Sequence, residues 1–130
     1  NNGIYLIDTP DEIRKKVMRA VTDAGPTEPD TPMSEPIKNI ITLMGVVSSP
    51  DTVEYFIDKY RSCQIRYGDM KKQLAEDIIK FNNPIREKIE SIAADDLYLR
   101  KVVNMGKEKA RASAAKTVKE VREIIGFKPF

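Results

Sequence analysis

Apolar side chains recur every three to four residues along most of this chain, with polar and charged residues between them. That is the period of amphipathic helices. Thr9-Pro10-Asp11-Glu12 is a helix start: Thr9 can cap free amides, Pro10 sits where a missing N–H costs nothing, and Glu12 completes a capping box. Ile13, Val17, Ala20 and Val21 then form the apolar side. Residues 23–36 hold four prolines and one glycine and predict a loop or extended tether, the best internal boundary in the chain. Glu35 to Met44 predicts a short helix carrying Ile37, Ile40, Ile41 and Met44, with Gly45 as its stop. Ser49-Pro50-Asp51 opens the next, with Val53, Phe56, Ile57 and Tyr60 as its buried stripe.

The longest periodic segment runs from about Asp69 to Ala94. Met70, Leu74, Ile78, Phe81, Ile85, Ile89 and Ile92 fall within about 100° of arc on a helical wheel. The phase survives Pro84, which predicts one kinked helix rather than two. Asp95/Asp96 to Met105 reads as a short helix ended by Gly106, and Lys107 to Ile125 as a last helix capped by Gly126. Small Ala110 and Ala114 on its apolar side suit the close approach of a neighbour. Strand-like alternation occurs only at Ile4–Ile7. The predicted fold is an all-α helical bundle of about five to six helices, with a long kinked helix and a short extended N-terminal lead-in.

Composition narrows the chemistry. The 130 residues are 41% apolar and 32% charged, enough for the core of one ordinary domain. There is no His and one Cys, Cys63, which excludes a Cys/His zinc site, an internal disulfide and a His-dependent triad within this sequence. The six glycines are scattered singly, so no phosphate loop is present. The adjacent acids Glu76–Asp77 and Asp95–Asp96 point apart on a helix or serve as caps. No apolar run approaches a membrane span, and Asn1–Leu6 lacks the features of a signal peptide. The expectation is a reduced, cytoplasmic domain. Asn1–Gly3 reads as a ligand-binding turn or as a frayed terminus.

The net charge of +2 hides an asymmetry. Residues 100–130 carry nine basic and three acidic side chains, whereas the preceding residues sum to −4. A basic end suits a phosphate-facing surface, or equally a solvated terminal helix. Arg66, Tyr67 and Tyr60 are the residue types that stack on unpaired nucleobases, though Tyr67-Gly68-Asp69 also reads as a plain helix entry with Asp69 as cap. Lys71 and Lys72 can hold phosphate or solvate an outer face. Arg111 and Arg122 flank the last apolar stripe.

Four pieces in order carry a resemblance: AVTD (Ala20–Asp23), YGD-KK (Tyr67–Lys72), PIRE (Pro84–Glu87) and GKEKAR (Gly106–Arg111). Together with IYLIDTPDEIRKKVMRAVTD and IKNIITLMGVVSS, the chain resembles the bacterial-type tryptophanyl-tRNA synthetases, class I, beyond their KMSKS loop. The HIGH and KMSKS motifs are themselves absent, so the resemblance implies a C-terminal fragment, expected to be inactive alone. It implies residues 1–25 as the segment after the catalytic loop with a coupling helix, 26–34 as a proline-rich loop, and 35–130 as the helical domain that binds the anticodon arm. The implied tRNA contacts are Lys71, Lys72, Lys107, Lys109 and Arg111 on phosphates, with Arg66 and Tyr67 near bases. The implied partners are a tRNA of tryptophan specificity, the upstream nucleotide-binding catalytic domain and, for the parent enzyme, a second subunit. ATP with Mg belongs to that parent, and no cofactor or metal to this stretch. Ile4, Leu6 and Ile79 are candidates for the apolar patch facing the upstream domain. The competing expectation is a helical protein-interaction module whose basic helix is only solvated.

Overall fold

The computed structural model describes residues 3–127. Asn1 and Asn2 of the possible terminal turn, and Lys128 of the basic end, lie outside the described residues. Five helices form: α1 (Pro10–Met18), α2 (Glu35–Val47), α3 (Pro50–Arg61), α4 (Tyr67–Ala93) and α5 (Asp96–Ile124). No strand occurs among the described residues. The fold is all-α. It divides into two compact units, one up to Lys88 and one from Ile89, so the division falls inside α4.

In the first unit the predicted stripes converge. Ile13 and Val17 of α1, Ile40 and Met44 of α2, Phe56 of α3, and Met70, Leu74, Ala75, Ile78 and Ile79 of α4 form one buried cluster. Ile79 is therefore core, not part of an outward patch, because its side of α4 faces the bundle interior. The Thr9–Glu12 capping box closes α1, and Ser49 Oγ accepts from the Thr52 amide at the start of α3. The lead-in makes a turn, with the Asp8 amide donating to the Tyr5 carbonyl at 3.0 Å. Lys16 donates to Asp8 at 2.6 Å and lies over the Tyr5 ring.

Gly45 does not stop α2. The helix runs on to Val47, and Ser48 ends it by donating to the Met44 carbonyl at 2.8 Å. A single glycine costs a helix interior only about 1 kcal/mol. The stronger signal is Pro50, which disfavours helical backbone at Ser49. The proline-rich loop is tied into the first unit, with the Asp30 amide donating to the Arg61 carbonyl and the Tyr60 hydroxyl to that of Pro32. At Cys63 the backbone turns left-handed (φ 58°) and the chain reverses into α4. α4 begins at Tyr67, which puts Asp69 inside its first turn rather than at its cap, and continues through Pro84.

The second unit departs further from expectation. Two helices were predicted to meet at Gly106, yet α5 passes through it without a break. The backbone there is not left-handed, no cap forms, and the flanking Met105, Lys107, Glu108 and Lys109 are strong helix formers. Asp95 caps the start by accepting from the Tyr98 amide at 2.9 Å. Gly126 adopts φ 71° as the predicted C-terminal cap, with Phe127 donating to the Arg122 carbonyl. α5 buries no residue, so Ala110 and Ala114 are exposed.

Candidate nucleic-acid interface

The reversal at Cys63 brings the end of α3 beside the start of α4. Ile65 packs against the core and pins the connection, leaving Gln64 and Arg66 on either side of it exposed. Between the two helices lies a polar cavity of about 630 Å³ lined by Tyr55, Phe56, Lys59, Gln64, Arg66, Asp69 and Gln73. Buried Phe56 is its floor. The Tyr55 ring, 55% exposed, stands edge-on to Phe56 with centroids 5.1 Å apart. Lys59 donates to Gln64 Oε1 at 3.0 Å, and its ammonium lies over the Tyr55 ring. The side chains of Arg66 and Asp69 make no hydrogen bond or ion pair among the described residues, although the Asp69 amide donates to the Arg66 carbonyl at 3.0 Å. The cavity therefore combines an aromatic face, a free guanidinium, two amides and a free carboxylate. Those are the groups that stack on a planar heterocycle and read its edge.

Beside this cavity, Tyr67 turns inward. Its hydroxyl donates to Asp23 Oδ1, which also accepts from the Gly25 amide at 2.9 Å, while Ser34 Oγ donates to Asp23 Oδ2. Burial alone would raise the Asp23 carboxyl. The donors from Ser34, Tyr67 and Gly25 outweigh it and hold the group below the usual carboxylate range. Burial, reinforced by the Asp23 bond and charge, pushes the Tyr67 phenol well above its ordinary value. Tyr60 is also raised, by burial and then by the Asp23 charge.

The sequence-predicted residues separate. Arg66 lines the cavity. Tyr67 is its neighbour, but the ring is half-buried and the hydroxyl engaged with Asp23. Lys71 is only 9% exposed and offers a phosphate little surface, whereas Lys72 on the next position is exposed. Lys107, Lys109 and Arg111 are exposed on α5, in the second unit. Lys107 and Arg111, one turn apart, share a side of the helix, and Lys109 points away from them.

Comparison with known proteins assigns the family. The model for "tRNA synthetases class I (W and Y)" matches residues 1–83. The chain belongs to this family. It is 53% identical over 127 residues to the tryptophan–tRNA ligase of Porphyromonas gingivalis, covering 98% of this chain and 39% of that protein. It is 36% identical over 127 residues to tryptophan–tRNA ligase 1 of Streptomyces coelicolor (97% of this chain, 36% of the relative). With the tryptophan–tRNA ligase of Helicobacter pylori strain J99 it shares 34% over 129 residues (98% and 37%). The chain thus spans less than two fifths of the length of these relatives.

Several cavity residues carry no signal in the sequence of a class I synthetase chain read alone. Tyr55 precedes a core Phe and looks like any exposed aromatic, and Lys59, Gln64 and Gln73 look like solvated polar positions. Asp23 was legible only as part of AVTD, with nothing in the sequence to pair it with Ser34 or Tyr67, 11 and 44 positions away.

Proposed function

We propose that this chain is the anticodon-arm-binding portion of a tryptophan–tRNA ligase. That enzyme converts tryptophan, ATP and tRNA to tryptophanyl-tRNA, AMP and diphosphate, works in the cytoplasm and acts as a homodimer. The observation that carries the proposal is the α3–α4 cavity, with its exposed Tyr55, unpaired Arg66, free Asp69 and flanking amides. In a family whose relatives are named tryptophan–tRNA ligases, such a cavity suits a base splayed out of the anticodon loop. Tyr55 or the Arg66 plane stacks on the base, while Asp69, Gln64 and Gln73 meet its polar edge. Lys72, and on α5 Lys107, Lys109 and Arg111, hold backbone phosphates without reading sequence. Tyr67 then acts behind Arg66 rather than on a base, and Lys71 contributes least.

Amino-acid activation is assigned to the part of the ligase outside this chain. Among the described residues no group of three or more His, Cys, Asp or Glu is arranged to hold a metal ion. No described helix is long and apolar enough to cross a membrane.

A second reading, a helical protein-interaction module, draws on α5, where Leu97 and Ile124 are more than four-fifths exposed. Salt separates the two, since phosphate contacts weaken steeply with ionic strength and apolar ones do not. The test is a salt-titrated binding assay of the chain with a tRNA bearing the CCA anticodon and with the same tRNA carrying a changed anticodon. Tighter binding to CCA, lost in Y55A and R66A, is expected. Equal binding to both, abolished by salt, would reduce the site to a basic patch. Absence of binding to either would defeat the proposal for this chain.

A further inference from the structure

The helix starts of the first unit follow two patterns. Those of α1 and α3 are closed by their own side-chain caps, Thr9 and Ser49. At α2 the N-cap is Ser34, a good capping residue, yet its side chain makes no capping bond, because the hydroxyl is turned to Asp23. At α4 the residue before the helix is Arg66, whose side chain has no acceptor atom with which to cap. The first residue of α4, Tyr67, is bonded to the same Asp23 carboxylate. The two helices of this unit without a local cap are therefore the two that begin at Asp23. That carboxylate lies five residues beyond the end of α1, half-buried, with a third donor from the Gly25 amide at 2.9 Å.

We propose that Asp23 and Tyr67 form a positioning pair for RNA binding: the carboxylate fixes the first turn of α4 through the Tyr67 hydroxyl and so holds the adjacent Arg66 guanidinium at the α3–α4 cavity. The proposal rests on the anticodon reading above for its RNA consequence, but the geometric part stands apart from it. Tyr67 is joined to Arg66 by one peptide bond, and Asp69, two residues on, lines the same cavity. A frayed first turn of α4 would displace both the cation and the carboxylate of the site. Fixing that turn removes the ordering cost that a mobile Arg66 would otherwise impose on binding. The loop bonds from Asp30 to the Arg61 carbonyl and from Tyr60 to that of Pro32 hold the same loop against the end of α3, the other wall of the cavity.

The test uses the full 130-residue chain with Y67F, D23A and D23N. Y67F keeps the ring and removes one hydroxyl. D23A removes all three acceptor bonds, and D23N keeps an Oδ1 that still accepts from Tyr67. Y98F, at an exposed tyrosine on α5, is the control. Amide hydrogen exchange without RNA is measured first. Exchange in residues 66–72 should quicken by about ten-fold in Y67F and more in D23A, with D23N close to the parent and the helical interior of α1 unaffected. Affinity for the CCA tRNA should fall in the same order, by about three-fold to ten-fold, with anticodon discrimination reduced and the melting temperature of Y67F nearly unchanged. Parental exchange in residues 66–72 of both Y67F and D23A would overturn the pair, whether or not the chain binds RNA. Faster exchange with unaltered tRNA affinity and discrimination, in a parent that does discriminate, would overturn the link to RNA. A parent that fails to discriminate overturns the anticodon reading, and the exchange result still decides the pair.

Discussion

The two compact units are written in the same helical code but use it differently. In the first, the apolar stripes of four helices meet and bury Met44, Met70 and Leu74 completely or nearly so. In the second, α5 also carries an apolar side, less sharply segregated than those of the other helices, and buries none of it. Amphipathic spacing establishes that a helix is compatible with a partner, not that one is present. Without tertiary burial, α5 depends on length, helix-forming residues, the Asp95 cap and the Gly126 terminus, and these are individually small effects.

The largest expected contrast comes from cutting apolar side chains in each unit. Leu74→Ala should destabilise the first unit by about 2–5 kcal/mol, because it removes contacts and leaves a cavity in a closed cluster. Val121→Ala on α5 should stay within about 0.5 kcal/mol. Urea unfolding of both variants checks the pair, and equal losses would mean that α5 has a covered face in solution. Backbone substitutions sharpen the comparison next. At Gly106 an added Cβ meets nothing, so Gly106→Ala, inside the continuous α5, should stabilise that helix by about 0.5–1 kcal/mol, seen as increased helical circular dichroism. At Gly126, with φ 71°, the same replacement is strained and should fray the helix end.

A pH effect should follow in the first unit. The Lys16 bond, then the Tyr5 amide, lowers the Asp8 carboxyl, and the Arg14 guanidinium lowers that of Glu76, from ordinary values of 3.8 and 4.5. Asp23 is lowered as well, its donors outweighing burial. Near and below those ordinary values the unfolded chain binds protons that the folded chain does not, so stability falls as pH drops through this range toward the lower folded values. Denaturation midpoints at pH 6 and pH 3 test this, and Arg14→Ala should flatten part of the slope by removing the 2.7 Å bond to Glu76. The smallest effect expected is on RNA binding. Each of Lys72→Ala and Arg111→Ala should reduce the salt slope by about 0.7, the value for one single-stranded phosphate contact. Lys71→Ala, at a buried position, should leave the slope unchanged while costing stability.

How much was legible in advance follows from the range of the signals. The Thr9–Glu12 capping box and the Ser49–Pro50 start involve neighbours within three residues, so the sequence states them outright. The continuity of α4 through Pro84 was legible because apolar phase on both sides of the proline agrees. Gly45 and Gly106 misled for a common reason: glycine is a weak helix breaker, decisive only where the backbone turns left-handed, as at Gly126. Of the residues singled out for tRNA, Arg66 lies at the cavity, whereas burial of Lys71 and the inward turn of Tyr67 come from the packing of α4.

By itself the sequence determined that this chain is helical, where most helices start, many but not all of the residues that form the core of the first unit (Ile79 joins it, and Phe81 and Val21 stay exposed), and, through its order of motifs, the family to which it belongs. Those properties are set by local capping and by a periodicity that repeats every few residues. Only the tertiary structure decided that α3 and α4 enclose a cavity with Tyr55 and Arg66 on its walls, that Asp23 gathers the starts of α2 and α4, and that α5 buries nothing. These depend on side chains brought together across tens of residues by packing, and helical periodicity says which face is apolar without saying what it meets.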